Sequence, residues 1–503
     1  MVEPILIAKS GSEDIVLLPE MSNRHGLVCG ATGTGKTVTI QAMCERFSEI
    51  GTAVFIADVK GDLAGLSQPG GGNEKVDQRL AEMAIPDYTP RGYPVVFWDV
   101  FGVQGHQVRT TVSEMGPVLL TRLMQLNDTQ AGVLQIVFAW ADAQNYPLID
   151  FKDLRALLGE VADNRKALLR DYGSVSPQSI GAIQRAVLTM EQEGVNTFFG
   201  EPALDLGDFV RIDTNGFGQI NVLAASTLYQ SPIAYSTFLL WLLSELFESL
   251  PEVGDPEKPN LVFFFDEAHL LFDDTPKPLR DKIEQVVRLI RSKGVGIFFI
   301  TQMPIDIPDV ILGQLGNRVE HALRAYTPRD QKAIKAVAET FRMNPEIDVE
   351  TVVTQLEVGE ALLSFLEIKG APGIVQRGLI VPPRSRVGAI TDAERAAVME
   401  ASTYGMKYAT SIDSLSAAEL IEAKQQQDQA DAELILRQAE IDKMEAKRQA
   451  ELEKAARKPS SSSSSRRRQP KNPFDEVIDQ ASSTVGRELG KSIVRGILGS
   501  LTR

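Results

Sequence analysis

Short unbroken apolar runs recur along the chain, most of them ending on a polar residue, with stretches of helical spacing between them. Thr52–Asp58 (TAVFIAD), Tyr93–Asp99 (YPVVFWD), Ile220–Ser226 (INVLAAS), Leu261–Glu267 (LVFFFDE) and Gly296–Gln302 (GIFFITQ) have this form. Runs of this length without alternation suit strands covered on both faces, and polar C-terminal ends suit a rim that carries chemistry. The pattern predicts an α/β fold built on a mainly parallel sheet. From 109 to 209 the spacing is helical throughout, which predicts a helical insertion between two halves of the core, 1–108 and 210–390. Glu360–Glu367 and Gly373–Ile390 alternate like edge strands or a hairpin, and Pro382–Pro383 marks the expected end of the ordered domain.

Beyond it the pattern changes again. Residues 391–458 read as a linker followed by a long helix rich in Ala, Glu, Gln and Lys, without a sustained heptad. Residues 459–473 form a basic, Ser-rich linker, and 474–503 a short amphipathic C-terminal helix that invites a protein partner. The most apolar stretch, Phe238–Phe247, is too short to span a bilayer and carries Glu245, so it predicts a buried helix and no membrane span.

One segment breaks the alternation of strand and helix with glycine. Gly30-Ala31-Thr32-Gly33-Thr34-Gly35-Lys36-Thr37 fits G-x-x-x-x-G-K-[ST], with the apolar run His25–Cys29 before it and a helical pattern after it. The glycines let backbone N–H groups approach phosphates, Lys36 adds a point charge, and the Thr37 hydroxyl suits Mg²⁺; Thr32, Thr34 and Val38 are nucleotide-binding candidates with them. This predicts binding of ATP with Mg²⁺. Asp266 and Glu267 close an apolar run expected to lie beside the loop strand. Asp266 is placed to hold the metal and Glu267 to act as general base on the attacking water. Gln302 is a candidate sensor of the γ-phosphate and Thr301 a weaker one. Asp58 and Lys60 share the rim, with Lys60 open between a phosphate contact and a solvated loop charge. Arg318 and Arg324 are candidates for a charge supplied across a subunit boundary, Arg318 ahead.

Composition adds bounds. The chain has 503 residues, 43% hydrophobic and 24% charged, and only two cysteines, which fits a reduced, cytoplasmic protein of two to four domains. The net charge is −15, but residues 454–503 carry eleven Lys and Arg against four Asp and Glu, leaving about −22 on the rest. That argues against a surface coated for nucleic acid, though not against a narrow basic channel in a ring. The four histidines lack the partners of a metal site, and His25 is open between a nucleotide contact and a strand cap.

Taken in order, HGLVCGATGTGKT, ADVKGD, FFFDEAHLLF, FFITQMP and NRVEHALRAYTPRDQ resemble the HerA-like branch of the HerA/FtsK superfamily, in particular bacterial proteins with a HerA-helicase-like C-terminal domain. The resemblance covers roughly residues 4–386. It implies a RecA-like P-loop NTPase core that assembles into a homo-hexamer with sites between subunits, and an ATP- and Mg²⁺-dependent translocase or helicase on double-stranded DNA. On it Lys36, Thr37, Asp266 and Glu267 form the site, Gln302 is the sensor and Arg318 reaches the neighbour. With about twenty-five residues before the loop, the expectation is a chain without the N-terminal barrel of the archaeal helicases of this superfamily. Protein remodelling or transport is the alternative use of the ATPase, and a nucleotide-gated assembly protein with little turnover is a third.

Overall fold

The computed structural model describes residues 2–85, 88–272 and 277–456. The basic linker at 459–473 and the C-terminal helix at 474–503 expected from the sequence lie outside the described residues. Residues up to Gln426 form one compact unit, and the described residues from Gln427 onwards form a second.

Twelve strands form one sheet. In chain order they are β1 (Ile5–Ser10), β2 (Glu13–Leu17), β3 (Gly26–Cys29), β4 (Ala53–Asp58), β5 (Val95–Asp99), β6 (His106–Gln107), β7 (Ile220–Ala224), β8 (Leu261–Phe265), β9 (Val295–Thr301), β10 (Asn317–Glu320), β11 (Glu360–Ser364) and β12 (Gln376–Ile380). Their order across the sheet is β2-β1-β12-β11-β10-β3-β9-β8-β4-β7-β5-β6. From β10 to β6 every pair is parallel, and from β10 to β2 every pair is antiparallel. The mainly parallel α/β core and the helical insertion expected from the sequence are both present.

The strands are buried on both faces, and alternate residues enter opposite cores. Leu27, Phe55, Trp98, Phe263, Phe265 and Phe299 belong to a core shared with the insertion and with helix Pro232–Ser249. Val28, Val54, Phe97, Phe264 and Phe298 face the other way, onto Ile40, Met43 and Phe47 of helix Lys36–Glu49. A third, smaller cluster lies behind β10 and β11 and includes Leu323, Val337, Phe341, Val353 and Leu362. The insertion helices begin where polar side chains close the first turn. Thr111, Asn127, Asp150 and Ser176 each accept backbone N–H groups at the start of helices Val112–Leu123, Asp128–Gln144, Phe151–Asp163 and Pro177–Gln192. The Phe238–Phe247 stretch is buried in helix Pro232–Ser249, and among the described residues no helix is long and apolar enough to cross a membrane.

Three features depart from the sequence reading. The acidic strand β8 is not beside β3; β9 lies between them, because the register places Cys29 against Thr301 and Phe265 against Phe299. The N-terminal residues form the hairpin β1–β2, which joins the sheet through β12. Packing also runs past Pro382–Pro383. Tyr404 and Tyr408 pack against the buried Trp98, tilted and edge-on, at 5.3 and 5.4 Å between ring centroids, and the Tyr408 hydroxyl donates to Asp208 Oδ2 at 2.6 Å. Asp208 is fully buried and also pairs with Lys407 and Arg211. The aromatic rings make this segment part of the core, which a proline pair read on its own does not reveal.

Tyr408→Ala removes a fully buried ring and leaves the Asp208 carboxylate short of a donor. The expected loss is about 3–5 kcal/mol, read as a lower midpoint in urea denaturation. A midpoint equal to the wild type would mean that the segment after Pro383 does not stabilise the core.

Candidate functional site

Because β10, β3, β9, β8, β4 and β7 run parallel, their C-terminal ends share one rim, and the glycine-rich loop leaves that rim between β3 and helix Lys36–Glu49. The loop is fixed by two backbone hydrogen bonds to other strands. Ala31 N donates to Ala322 O at 2.9 Å, and Gly359 N donates to Thr34 O at 2.9 Å. Side-chain-free positions are required at both contacts. A Cβ on Gly30 would sit 2.5 Å from the Cβ of His321, and one on Gly35 would sit 3.2 Å from the Cα of Gly359, and both residues have positive φ. Gly33, Thr32 and Thr34 complete the turn, with Thr34 Oγ1 bonded to Ala31 O at 2.7 Å. The outer side of Gly33 is open.

Lys36 is buried, and its ammonium donates to Gly30 O and Ala31 O, so its charge already lies within the loop. Burial pulls its pKa down. Thr37 Oγ1 is 3.3 Å from Asp62 Oδ2, and Val38, the next residue of the helix, is half-buried. Asp62 was not singled out by the sequence; its one signal was a place two residues after Lys60 on the same rim.

Asp266 and Glu267 leave β8 at the same rim, on the far side of β9 from the loop strand. Asp266 is buried and accepts the Glu267 N–H at 2.9 Å. Burial, with the neighbouring Glu267 charge adding to it, pushes its pKa up to about 6 against the opposing pull of Lys60. Burial and the Asp62 charge likewise raise Asp58 to about 6, although Asp58 accepts the Gly61 and Leu63 N–H groups at 2.7 and 3.1 Å. Glu267 adopts a left-handed backbone, φ 48° and ψ 49°, which is costly for a residue with a side chain and turns its carboxylate into the site. Lys60 Nζ lies 2.8 Å from Glu267 Oε1, and His269 Nδ1 3.4 Å from Oε2. Burial raises the Glu267 pKa, but Lys60, His269 and a hydrogen bond from Gln302 outweigh it and hold the group ionised, below its ordinary value. Lys60 is thereby a partner of Glu267. Gln302 is exposed at the end of β9, whereas the Thr301 hydroxyl is bound by Asp306 Oδ2 at 2.8 Å.

The donors near Thr37 are hydroxyl and carboxylate oxygens, the hard ligands that suit Mg²⁺. Among the described residues no group of three or more His, Cys, Asp or Glu side chains is arranged to hold a metal. A cation held by Thr37 and Asp266 would take its other ligands from water and phosphate.

The two arginines differ. Arg318 lies within β10, and its guanidinium donates to Leu315 O and Leu312 O, each at 3.1 Å, in its own chain. Arg324 is exposed and lines a cleft of about 250 Å³ with Ala31, Gln302 and Tyr326. His25 sits at the opposite end of β3 from the loop, where Nε2 donates to Val287 O at 2.8 Å and Nδ1 accepts the Ile297 N–H at 3.1 Å; it is a buried strand cap.

Two residues behind the loop had no signal in the sequence. His321 is buried, and burial lowers its pKa to about 4. Its Nδ1 donates to Glu360 O at 2.9 Å and Nε2 accepts the Thr39 hydroxyl at 2.8 Å, so it ties helix Lys36–Glu49 to β11. Glu320 is also buried; the Cys29 thiol is its side-chain partner, and burial raises its pKa to about 8.

The chain matches the family described as helicase HerA-like C-terminal over residues 3–503. It is 22% identical over 364 residues to the DNA double-strand break repair helicase HerA of Saccharolobus solfataricus, covering 70% of this chain and 64% of that one. Against the HerA of Sulfolobus acidocaldarius it is 22% identical over 348 residues, with 68% and 62% covered. It thus spans less than two thirds of the length of these curated relatives. Among solved structures, the plasmid coupling protein TrwB in complex with a non-hydrolysable ATP analogue aligns at 15% identity and a TM-score of 0.48, covering 74% and 87% of the two chains. VirB4 of Thermoanaerobacter pseudethanolicus aligns at 15% identity and 0.46, covering 78% and 97%.

The folded chain holds the Glu320 proton up to about pH 8, whereas an ordinary glutamate releases it at 4.5. Folding therefore takes up a proton between those values, and the stability this contributes is full below pH 4.5 and lost as the pH rises through 8. Glu320→Gln cannot ionise, so its denaturation midpoint is expected to fall less between about pH 5 and 8.5 than that of the wild type. Identical slopes for the two proteins would remove Glu320 as the source.

Proposed function

This chain belongs to the HerA-like helicase C-terminal family, and from that premise we propose that it is an Mg²⁺-dependent ATPase acting as a ring motor on double-stranded DNA. The observation that carries the hydrolytic half is Glu267, a carboxylate held ionised beside a phosphate-binding loop in a strained backbone conformation. A protein that only binds nucleotide has no use for a second acidic group placed there.

The geometry supports the following roles. The loop from Gly30 to Thr37 surrounds the phosphates with N–H groups, and Lys36 adds its charge to the β- and γ-phosphates. Thr37 and Asp266 would hold the cation, which would supply positive charge to the phosphate oxygens. Glu267 takes the proton from the attacking water, and Gln302, which helps to hold Glu267 ionised, connects the end of β9 to that event. Of the two arginines offered to a neighbouring subunit in a homo-hexamer, Arg324 is the better placed. It is exposed at the cleft that includes Ala31 and Gln302, while Arg318 is bonded to its own chain. DNA as the cargo is supported by the family and by the repair helicases to which the chain is similar. The acidic balance before residue 454 favours the second reading, an ATPase that remodels or transports protein.

Steady-state ATP hydrolysis tests both halves. Glu267→Gln is expected to lower turnover by on the order of 10²–10⁴-fold while ATP still binds, and Lys36→Ala to lose binding and turnover together. Wild-type turnover in Glu267→Gln would remove the general base. Long double-stranded DNA is expected to stimulate the wild type, with the stimulation fading as salt rises; turnover indifferent to DNA would move the cargo to protein. Because Lys60 holds down the Glu267 pKa, Lys60→Ala is expected to shift the acid limb of the rate–pH profile to higher pH. An unmoved limb would mean that Glu267 does not set it.

A further inference from the structure

Outside the rim, a pocket of about 190 Å³ lies where helix Val112–Leu123 of the insertion meets helices Pro232–Ser249 and Lys277–Leu289. A break in the first helix makes it. Gly116 leaves the helical conformation at φ 69° and ψ 165°, and Pro117 has no N–H to return to the Ser113 carbonyl. A regular helix turns successive residues to different sides, but here all six residues from 114 to 119 line one wall. Ser244, Glu245 and Glu248 contribute from the second helix, and Lys282 from the third.

The charges in this lining do not balance. Glu114, Glu245 and Glu248 set three negative charges against the positive charge of Lys282, a net of −2 when all are ionised. Burial raises the Glu245 pKa, and the Glu114 and Glu248 charges add to it. Glu114 uses only one oxygen in its helix cap, where Oε2 accepts the Thr110 hydroxyl at 3.0 Å and the Thr111 N–H at 3.3 Å. Beside these acids the Ser244 hydroxyl is buried, with the residue 2% exposed, and has no hydrogen-bond partner among the described residues. A serine inside a helix can return its hydroxyl to the carbonyl one turn back, and a buried hydroxyl that bonds to nothing is uncommon. Here it lines the pocket instead.

We propose that this pocket binds an alkylammonium group, the end of a small polyamine or of a lysine side chain, with its N–H groups shared among Ser244 Oγ, Glu245 and Glu248. Its methylenes lie against Met115, Pro117 and Leu119. An ammonium brings both the positive charge and the three donors that carboxylates and an unpartnered hydroxyl can accept. The walls between the acids are apolar, which suits a hydrocarbon stem and not a hydrated ion. A divalent metal ion would need its carboxylates drawn to one point, and among the described residues no three His, Cys, Asp or Glu side chains are so arranged. The volume admits a single alkyl arm rather than a larger molecule.

The test is calorimetric titration of the full chain at low ionic strength with spermidine, with the amide of Nα-acetyl-lysine, and with tetramethylammonium, which has the charge but no N–H. Spermidine or the lysine amide is expected to bind, and tetramethylammonium to bind weaker by about tenfold or more. The amine that binds more tightly identifies the source, a free polyamine or a protein lysine. Ser244→Ala and Glu245→Gln are each expected to weaken that amine about tenfold or more while ATP turnover holds. Ser244→Ala removes a hydroxyl that bonds to nothing in the fold, so its urea midpoint is expected not to fall, which separates lost binding from lost folding. Binding of neither amine, equal binding of tetramethylammonium, or an affinity unmoved in either variant overturns the ammonium pocket.

Discussion

The site depends on a backbone contact between strands that are distant in sequence. Ala31 N bonds to Ala322 O and Thr34 O to Gly359 N, so the loop is held from both sides by the chain leaving β10 and the chain entering β11. A phosphate-binding turn needs its N–H groups aimed outward, and the same groups left to themselves would find other partners. The two contacts use up a donor and an acceptor on the loop's inner side. They also explain why a bare backbone is needed there: at Gly30 and Gly35 a single carbon would collide with His321 or crowd Gly359. His321 completes the frame by joining the helix behind the loop to β11.

Around this frame the electrostatics are arranged by burial. Asp58, Asp266 and Glu267 share a rim with two lysines, and their environments push their proton affinities apart. Asp266 and Asp58 are raised because burial penalises their charge, while Glu267 is lowered because Lys60 outweighs the same penalty. Two adjacent carboxylates thus differ in proton affinity, one suited to exchange a proton for a cation and the other kept ionised. The strained backbone at Glu267 belongs to the same arrangement, since a relaxed strand end would carry its side chain to the opposite face of the sheet.

The sequence made the core legible because period-two burial and apolar run length are local properties. Phe263, Phe264 and Phe265 announce a strand covered on both sides, and the glycine-rich turn names its own chemistry. Strand order is not local: nothing in LVFFFDE reveals that β9 inserts between it and the loop strand, and that insertion is what places Gln302 between Asp266 and the loop. Contacts that the topology creates were equally hidden. Asp62 reaches Thr37, Lys60 pairs with Glu267, and Tyr408 returns across more than three hundred residues to Trp98. Arg318 and Arg324 looked alike as basic residues near a strand, and only the carbonyls at the end of helix Asp309–Leu312 separate them.

The four antiparallel strands beyond β10 have a place in this scheme that the parallel core does not supply. A parallel strand ending in a turn offers a rim, but nothing in the rim itself holds a loop in place above it. β11 and β12 do this: Gly359 N, at the entry to β11, donates to Thr34 O, and Ile380 N, at the end of β12, donates to Gly359 O, each at 2.9 Å. Helix Glu74–Met83, which follows β4 in the chain, reaches the same point through Arg79, whose Nη2 donates to Val358 O at 2.9 Å. The glycine-rich loop is thus braced by the antiparallel half of the sheet, while the acidic side chains stand on the rim of the parallel half, so that the two halves divide support and charge between them.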